Sequence, residues 1–252
     1  MSEQEPSSAE TFISHLVELR DRLVKAVIGI VAVCITLFAW PGPLAVYELL
    51  AKPMIAALPV GSKMIATGII SPFLVPMKVT LLLALMIALP WVLYQVWAFI
   101  APGLYAHEKR LIAPLVISSS ILFLSGVAFC YFFVFRRVFQ FISEFAPSSI
   151  TVSPDIENYL DFIMSMCLAF GLTFEVPIVV IVLVRTGMVS IEKFKAMRSY
   201  VIVGAFVIAA IVTPPDIVSQ LALAIPMWLL FEIGLIVAPI FVKATQAPDD
   251  DG

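Results

Sequence analysis

Six apolar runs organise the chain, and the polar stretches between them are either short or broken by proline. Phe12, Leu16, Leu19 and Leu23 recur at helical spacing and predict an amphipathic lead-in that flows into a first apolar helix at roughly 23–40. Ser7 and Glu10 fit a capping box ahead of it. Further apolar helices are predicted near 77–98, 111–135, 160–183, 199–213 and 217–240. The second and third exceed the ~20 residues that a bilayer requires. The fifth, from Ser199 to Thr213, offers 15 residues, about 22 Å of helix against a hydrocarbon core of about 30 Å. The sixth is as short if it ends near Glu232. Prolines at 53, 59, 72 and 76, and again at 147 and 154, predict short helices and turns in the first and third links. Thr213-Pro214-Pro215-Asp216 ends the fifth run sharply. The first ten residues and 243–252 are expected to be disordered tails. The fold predicted is a single all-α integral membrane domain of six transmembrane helices.

Composition agrees. Of 252 residues, 62% are hydrophobic and 13% charged, with a mean hydropathy of +1.06, whereas soluble domains carry about 25% charged residues. A net charge of −3 without a basic tail argues against nucleic acid as a partner. The first 20 residues are polar and acidic, so no cleavable signal peptide is expected. Cys34, Cys130 and Cys167 all fall inside apolar runs, are odd in number and lack metal-type spacing, and read as small hydrophobes. Lysine and arginine set the orientation. With the N-terminus inside, Arg20, Arg22, Lys25, Lys109, Arg110, Arg185, Lys193, Lys195, Arg198 and Lys243 lie on the inner side, and Lys52, Lys63, Lys78, Arg136 and Arg137 on the outer. The bias favours both termini inside. The outward pair Arg136-Arg137 fits it least well.

The link between the second and third runs carries the most specific chemistry. Tyr94 to Arg110 reads YQVWAFIAPGLYAHEKR and places Glu108 among cations beside Tyr94, Trp97, Phe99 and Tyr105, an aromatic belt at a membrane surface. Four other blocks accompany it: HLVELRDRL near the N-terminus, SPF at 71–73, FGLTFEVP in the fourth run, and GAF through TPPD before the sixth. Together these blocks resemble the TatC family, the receptor subunits of the twin-arginine protein translocase. The resemblance implies a prokaryotic cytoplasmic (inner) membrane protein with no cofactor, bound to single-span TatA and TatB partners. It implies binding of twin-arginine signal peptides and export of folded proteins driven by the proton-motive force. Self-association in a receptor complex is expected as well.

Glu18, in the HLVELR block, is either a solvated residue paired with Arg22 at i,i+4 or part of a receptor site. Two acids at one membrane face suit paired guanidinium groups, because carboxylates accept arginine bidentately and lysine only as a point charge. The resemblance implies that use for Glu18 and Glu108, with Arg20 orienting the site, Phe99 forming a wall and Arg110 completing the loop. Ala106 departs from the family pattern, which usually has a cation there. Glu175 sits near the centre of the fourth run, where an ionisable group costs roughly 2.5–3.5 kcal/mol on insertion scales. It is either a protonated acid bonded to a neighbouring helix or a polar spot in a groove. Thr213 and Gln220 are either helix–helix glue or a patch that, by resemblance, docks TatA and TatB; Ala210 replaces one polar member of that patch. Asp216 reads as a cap for the sixth helix and Glu232 as its inner boundary. HExxH, GxSxG and phosphate-loop motifs are absent, and His15 and His107 are too few for a metal site, so no enzyme is expected. The alternative to a translocase receptor is a proton-coupled transporter of a small solute that uses Glu175 as relay. Such a carrier needs its critical acid at midplane, whereas a receptor needs Glu18 and Glu108 at the surface.

Overall fold

A computed structural model describes residues 8–57, 64–100, 112–145, 155–213 and 216–243. The described chain is helical apart from turns and a single bridge between Ile65 and Asp155. In order the helices are α1 (Ser8–Ala39), α2 (Pro43–Ala57), α3 (Ser71–Ile100), α4 (Ile112–Phe129), α5 (Phe135–Phe145), α6 (Ile156–Arg185), α7 (Ile191–Ala196), α8 (Arg198–Val212) and α9 (Ile217–Lys243). A five-residue π segment, Cys130–Val134, joins α4 to α5 without a break.

Five of the described helical stretches are long and apolar enough to cross a membrane: Ile13–Ala39, Ser71–Ile100, Ile112–Val138, Ile156–Arg185 and Ile217–Ile240. The expected fifth span is α8, a shorter apolar helix of 15 residues. One expectation changes. Ser8–Glu10, assigned to a disordered tail, are already helical, because once a helix is nucleated each added residue gains a hydrogen bond. The apolar stretch of the sixth run covers Ile217–Ile240, and its helix, α9, continues past Glu232 to Lys243. Arg198 Nη2 donates to Glu232 Oε2 at 2.7 Å, so the carboxylate is neutralised against α8 and the apolar run carries on past it.

The long helices approach closely because glycine and phenylalanine interlock. A Cβ on Gly126 of α4 would stand 2.5 Å from the Phe170 carbonyl oxygen of α6, and one on Gly171 of α6 would stand 2.5 Å from the Phe123 ring of α4. Small residues at membrane helix contacts allow this approach, and dispersion then does the work. Around the interlock lie Leu160, Met166, Cys167 and Phe170 of α6, Cys130 of the π segment and Leu223 of α9, all buried. Cys130 and Cys167 are free thiols in this core, and Cys34 is a half-buried free thiol. On the other side of α6, Gly234 of α9 passes Pro177, to whose Cα a Cβ would stand at 3.0 Å. This contact sets the relative depth of the helices. Arg198 meets Glu232 only two residues before Gly234, whereas α6 runs eight residues beyond Pro177 to Arg185. At 1.5 Å per residue the Arg198 end of α8 is recessed from the Arg185 end of α6 by on the order of 10 Å.

At the opposite end a polar tether holds α3 to α6. Asp155 caps α6 by accepting from the backbone N–H groups of Glu157 and Asn158, and its Oδ2 accepts from the Thr67 hydroxyl at 2.7 Å and the Thr67 N–H at 2.9 Å. Lys78 of α3 donates to Glu157 at 3.1 Å and to Asp161 at 3.1 Å, and Ser71 donates to Glu157. The Thr67 hydroxyl, with the N–H groups behind it, holds the Asp155 carboxyl at about 2, below the ordinary aspartate value. A depressed folded-state pKa gives stability that is complete above the unfolded value, about 3.9, and is lost as pH falls through about 2. The thermal midpoint of the detergent-solubilised protein should therefore lose this contribution only below about pH 4. Asp155→Ala should lower the midpoint at neutral pH and flatten that acid limb; an unchanged acid limb would count against the tether.

Candidate functional site

The HLVELR block lies on α1, and α1 docks along α3. Two contacts fix that docking. Trp91 Nε1 donates to the Lys25 carbonyl at 2.9 Å, and Gly29 leaves room for the indole, since a Cβ there would stand 2.3 Å from Trp91 Cδ1. Antiparallel to α1, the last turns of α3 are thereby laid against His15, Glu18 and Arg22. The His15 and Phe99 rings stack with centroids 4.5 Å apart at 24°. Arg22 reaches both helices: Nη2 donates to Glu18 Oε1 at 3.3 Å, and Nη1 to Gln95 Oε1 at 3.4 Å. Gln95 is only 3% exposed, so its carbonyl is a fixed seat for the guanidinium.

Glu18 is half-buried, and among the described residues its partner is Arg22, through Oε1. Arg20 points elsewhere, pairing with Asp21 at 2.8 Å on an exposed face. Of the expected site residues, Glu18 and Phe99 are thus brought onto one helix pair, and Arg20 sits beside them on α1. Glu108 and Arg110 fall in 101–111, outside the described residues, as does Ala106. Gln95 was not anticipated. Its signal is a lone amide in an otherwise apolar and aromatic run, one turn before Phe99 on α3, where it meets Arg22 of α1.

Glu175 lies on the side of α6 that faces α3 and α4. It is 8% exposed, and neither carboxylate oxygen has a hydrogen-bond partner among the described residues. On the neighbouring helix α4 the Ser119 hydroxyl accepts from Trp97 Nε1 at 3.0 Å. Below Glu175 on the same face Ile178 and Val182 pack with Trp97. The acid is therefore inside a three-helix contact and not on an open wall of a groove.

Thr213 and Gln220 both serve the α8–α9 hairpin. Thr213 donates to the Ala209 carbonyl of its own helix at 2.8 Å, and Gln220 Nε2 donates across to the Phe206 carbonyl at 3.3 Å. Asp216 caps α9, accepting from the Ser219 N–H at 2.7 Å. Ala210 is exposed on α8. Among the described residues no cluster of three or more His, Cys, Asp or Glu could hold a metal ion.

Comparison with known proteins gives this helix pair its context. The family model for Sec-independent protein translocase protein (TatC) matches residues 14–226. The TatC of Haemophilus influenzae is 48% identical over 96% of this chain and 93% of its own length. That of Halothiobacillus neapolitanus is 49% identical over 94% of this chain, which spans 64% of that relative's length. A crystal structure of the twin arginine translocase receptor TatC superimposes with a TM-score of 0.80 at 36% identity, covering 90% of this chain and 98% of that one. The sequence blocks, the family match and the superposition agree: the chain is a membrane protein of the TatC family of Sec-independent protein translocase components.

Proposed function

We propose that the chain is the signal-peptide receptor of a twin-arginine translocase. It binds paired arginines with Glu18 and Glu108 and, with TatA and TatB partners, supports export of folded proteins driven by the proton-motive force. The observation that carries this reading is the α1–α3 docking, which sets Glu18, Arg22, Gln95 and Phe99 together at the end of α3. The 101–111 loop leaves from that same end, at Ile100. Chain length bounds Glu108 to the start of α4: it is four residue steps from Ile112, a reach of at most about 14 Å. Arg20 and Arg110 add local charge that orients the site, and Phe99 offers an apolar wall beside it. Thr213 and Gln220 mark the α8–α9 hairpin as the docking face for single-span partners, and receptor copies associate with one another. Membership in a protein-translocase family removes the ground for a small-solute carrier. Site-specific photo-crosslinking tests the reading: probes at His15 and Phe99 should capture a twin-arginine precursor, and capture only at probes near Glu175 would overturn it.

The same reading places the protein in the cytoplasmic (inner) membrane with six spans and both termini inside, α8 being a short fifth span in locally thinned bilayer. Single cysteines at Ala106 and Met197, in a cysteine-free background, should label only from the inside, and one at Ser149 only from the outside. Labelling of Ser149 from the cytoplasmic side would overturn the topology.

A further inference from the structure

At the end of the bundle remote from Glu18, a cavity of about 230 Å³ opens between α3, α6 and the π segment. Val79 and Met86 line it on α3, Leu160 and Met164 on α6, and Ala128 and Phe132 on the α4–π stretch. It runs about 10 Å along α3, from Val79 to Met86 at 1.5 Å per residue. Its volume is roughly that of eight waters in the liquid, and its lining is almost wholly apolar, so it suits an apolar occupant. The mouth is identified by burial. Ala128 and Phe132 are exposed as well as lining, whereas Leu160 is 2% exposed at the back.

The exposed stripe of Ala128 and Phe132 continues one turn further to Arg136, with Arg137 beside it, while Val134, Phe135 and Val138 turn inward. Two exposed guanidinium groups thus stand just beyond the mouth of an apolar slot, and neither has an ion-pair partner among the described residues. The facing wall is occupied: Lys78 is held by Glu157 and Asp161, so the two carboxylates direct an incoming anion toward the arginine side. The π segment places these groups together, since its wider turn keeps Tyr131 and Phe132 at the cavity while α5 carries on with the arginines outward. Wide turns of this kind recur at functional sites.

We propose that this is a binding site for an anionic phospholipid, with one acyl chain in the cavity and its phosphate on Arg136 and Arg137. Arginine forks suit phosphate oxygens, and basic pockets between membrane helices bind anionic headgroups. The site shares no residue with the proposed peptide site, so the two stand or fall separately. It also accounts for an arginine pair on the side of the chain where positive charge is otherwise sparse.

Native mass spectrometry of the purified full chain, titrated with dioleoyl-phosphatidylglycerol and with dioleoyl-phosphatidylcholine, tests it. The anionic lipid should bind tenfold or more tightly than the zwitterionic one. The double variant R136Q/R137Q should abolish that preference, and R136K/R137K should keep most of it. A128W, which fills the mouth and leaves both arginines, should weaken binding of both lipids while helix content and gel-filtration behaviour stay unchanged. Equal affinity for the two lipids in the parent overturns the proposal, as does a preference that survives R136Q/R137Q. Unaltered binding in a folded A128W means headgroup adhesion at the surface and overturns the seated chain. Should A128W not fold, R136Q/R137Q and R136K/R137K together still decide.

Discussion

Glu18→Ala should weaken binding of a twin-arginine peptide tenfold or more while leaving the protein inserted and folded. The two effects separate because their magnitudes differ. Within the chain Glu18 contributes one i,i+4 contact with Arg22 at 3.3 Å, a type of pair worth a few tenths of a kcal/mol. Arg22 keeps its bond to Gln95 when Glu18 is gone. Toward a peptide, by contrast, a charge-assisted hydrogen bond contributes about 1.5–3 kcal/mol, which is tenfold or more in affinity. Glu108→Ala should act alike, and changing the peptide to twin lysine should imitate the loss, since a point donor cannot use both carboxylate oxygens. Asp21→Ala is the control: Asp21 pairs with Arg20 on the open surface and should leave affinity unchanged. Isothermal titration with a signal peptide measures all four. Unaltered affinity in both glutamate variants would remove the assignment.

Glu175→Ala should fold at least as stably as the parent and transport poorly, with Glu175→Gln between the two in activity. The stability half follows from burial without partners. Neither carboxylate oxygen has a hydrogen bond among the described residues, and an unsatisfied buried polar group costs about 1–3 kcal/mol. Replacing it with a methyl group removes that cost and leaves a small cavity between α4 and α6, a lesser penalty where the helices can close up. We propose that a residue kept at such expense serves something other than stability. Glu175 is on α6 within two residues of the contact with Gly234, and the Arg198–Glu232 pair is at the same level. A short α8 obliges lipid to thin or water to enter at that level, which lowers the cost of keeping the acid at depth. Export assays on membrane vesicles and thermal unfolding in detergent check both halves; full transport by both variants would reduce Glu175 to packing.

Apolar length made most of the helices legible, and the i,i+4 spacing of Glu18 and Arg22 made their pairing legible, because both are local. Asp216 was readable as a cap for the same reason. What could not be read is the register between helices. Whether Arg22 meets Gln95, 73 residues away, depends on where α1 slides along α3, and that is decided by one indole and one glycine. That α9 can pass Glu232 without a break rests on its partner Arg198, which lies on another helix and is invisible in the linear chain. The π segment has no signature either, since CYFFV continues an ordinary apolar helix. Glu108 and Arg110, the loop half of the site, fall outside the described residues, and their role stays with the sequence.

The docking of α1 has a consequence for biosynthesis. Only 6% of the apolar window of α1 is buried against protein, and the indole that fixes it, Trp91, is made long after Gly29. A chain emerging from the ribosome therefore delivers α1 to the bilayer as a solitary helix, content in lipid, before its mate exists. The proposed recognition surface is assembled only when α3 follows and seats Trp91 in the notch at Gly29. A nascent chain halted before residue 91 should be membrane-inserted yet blind to its ligand.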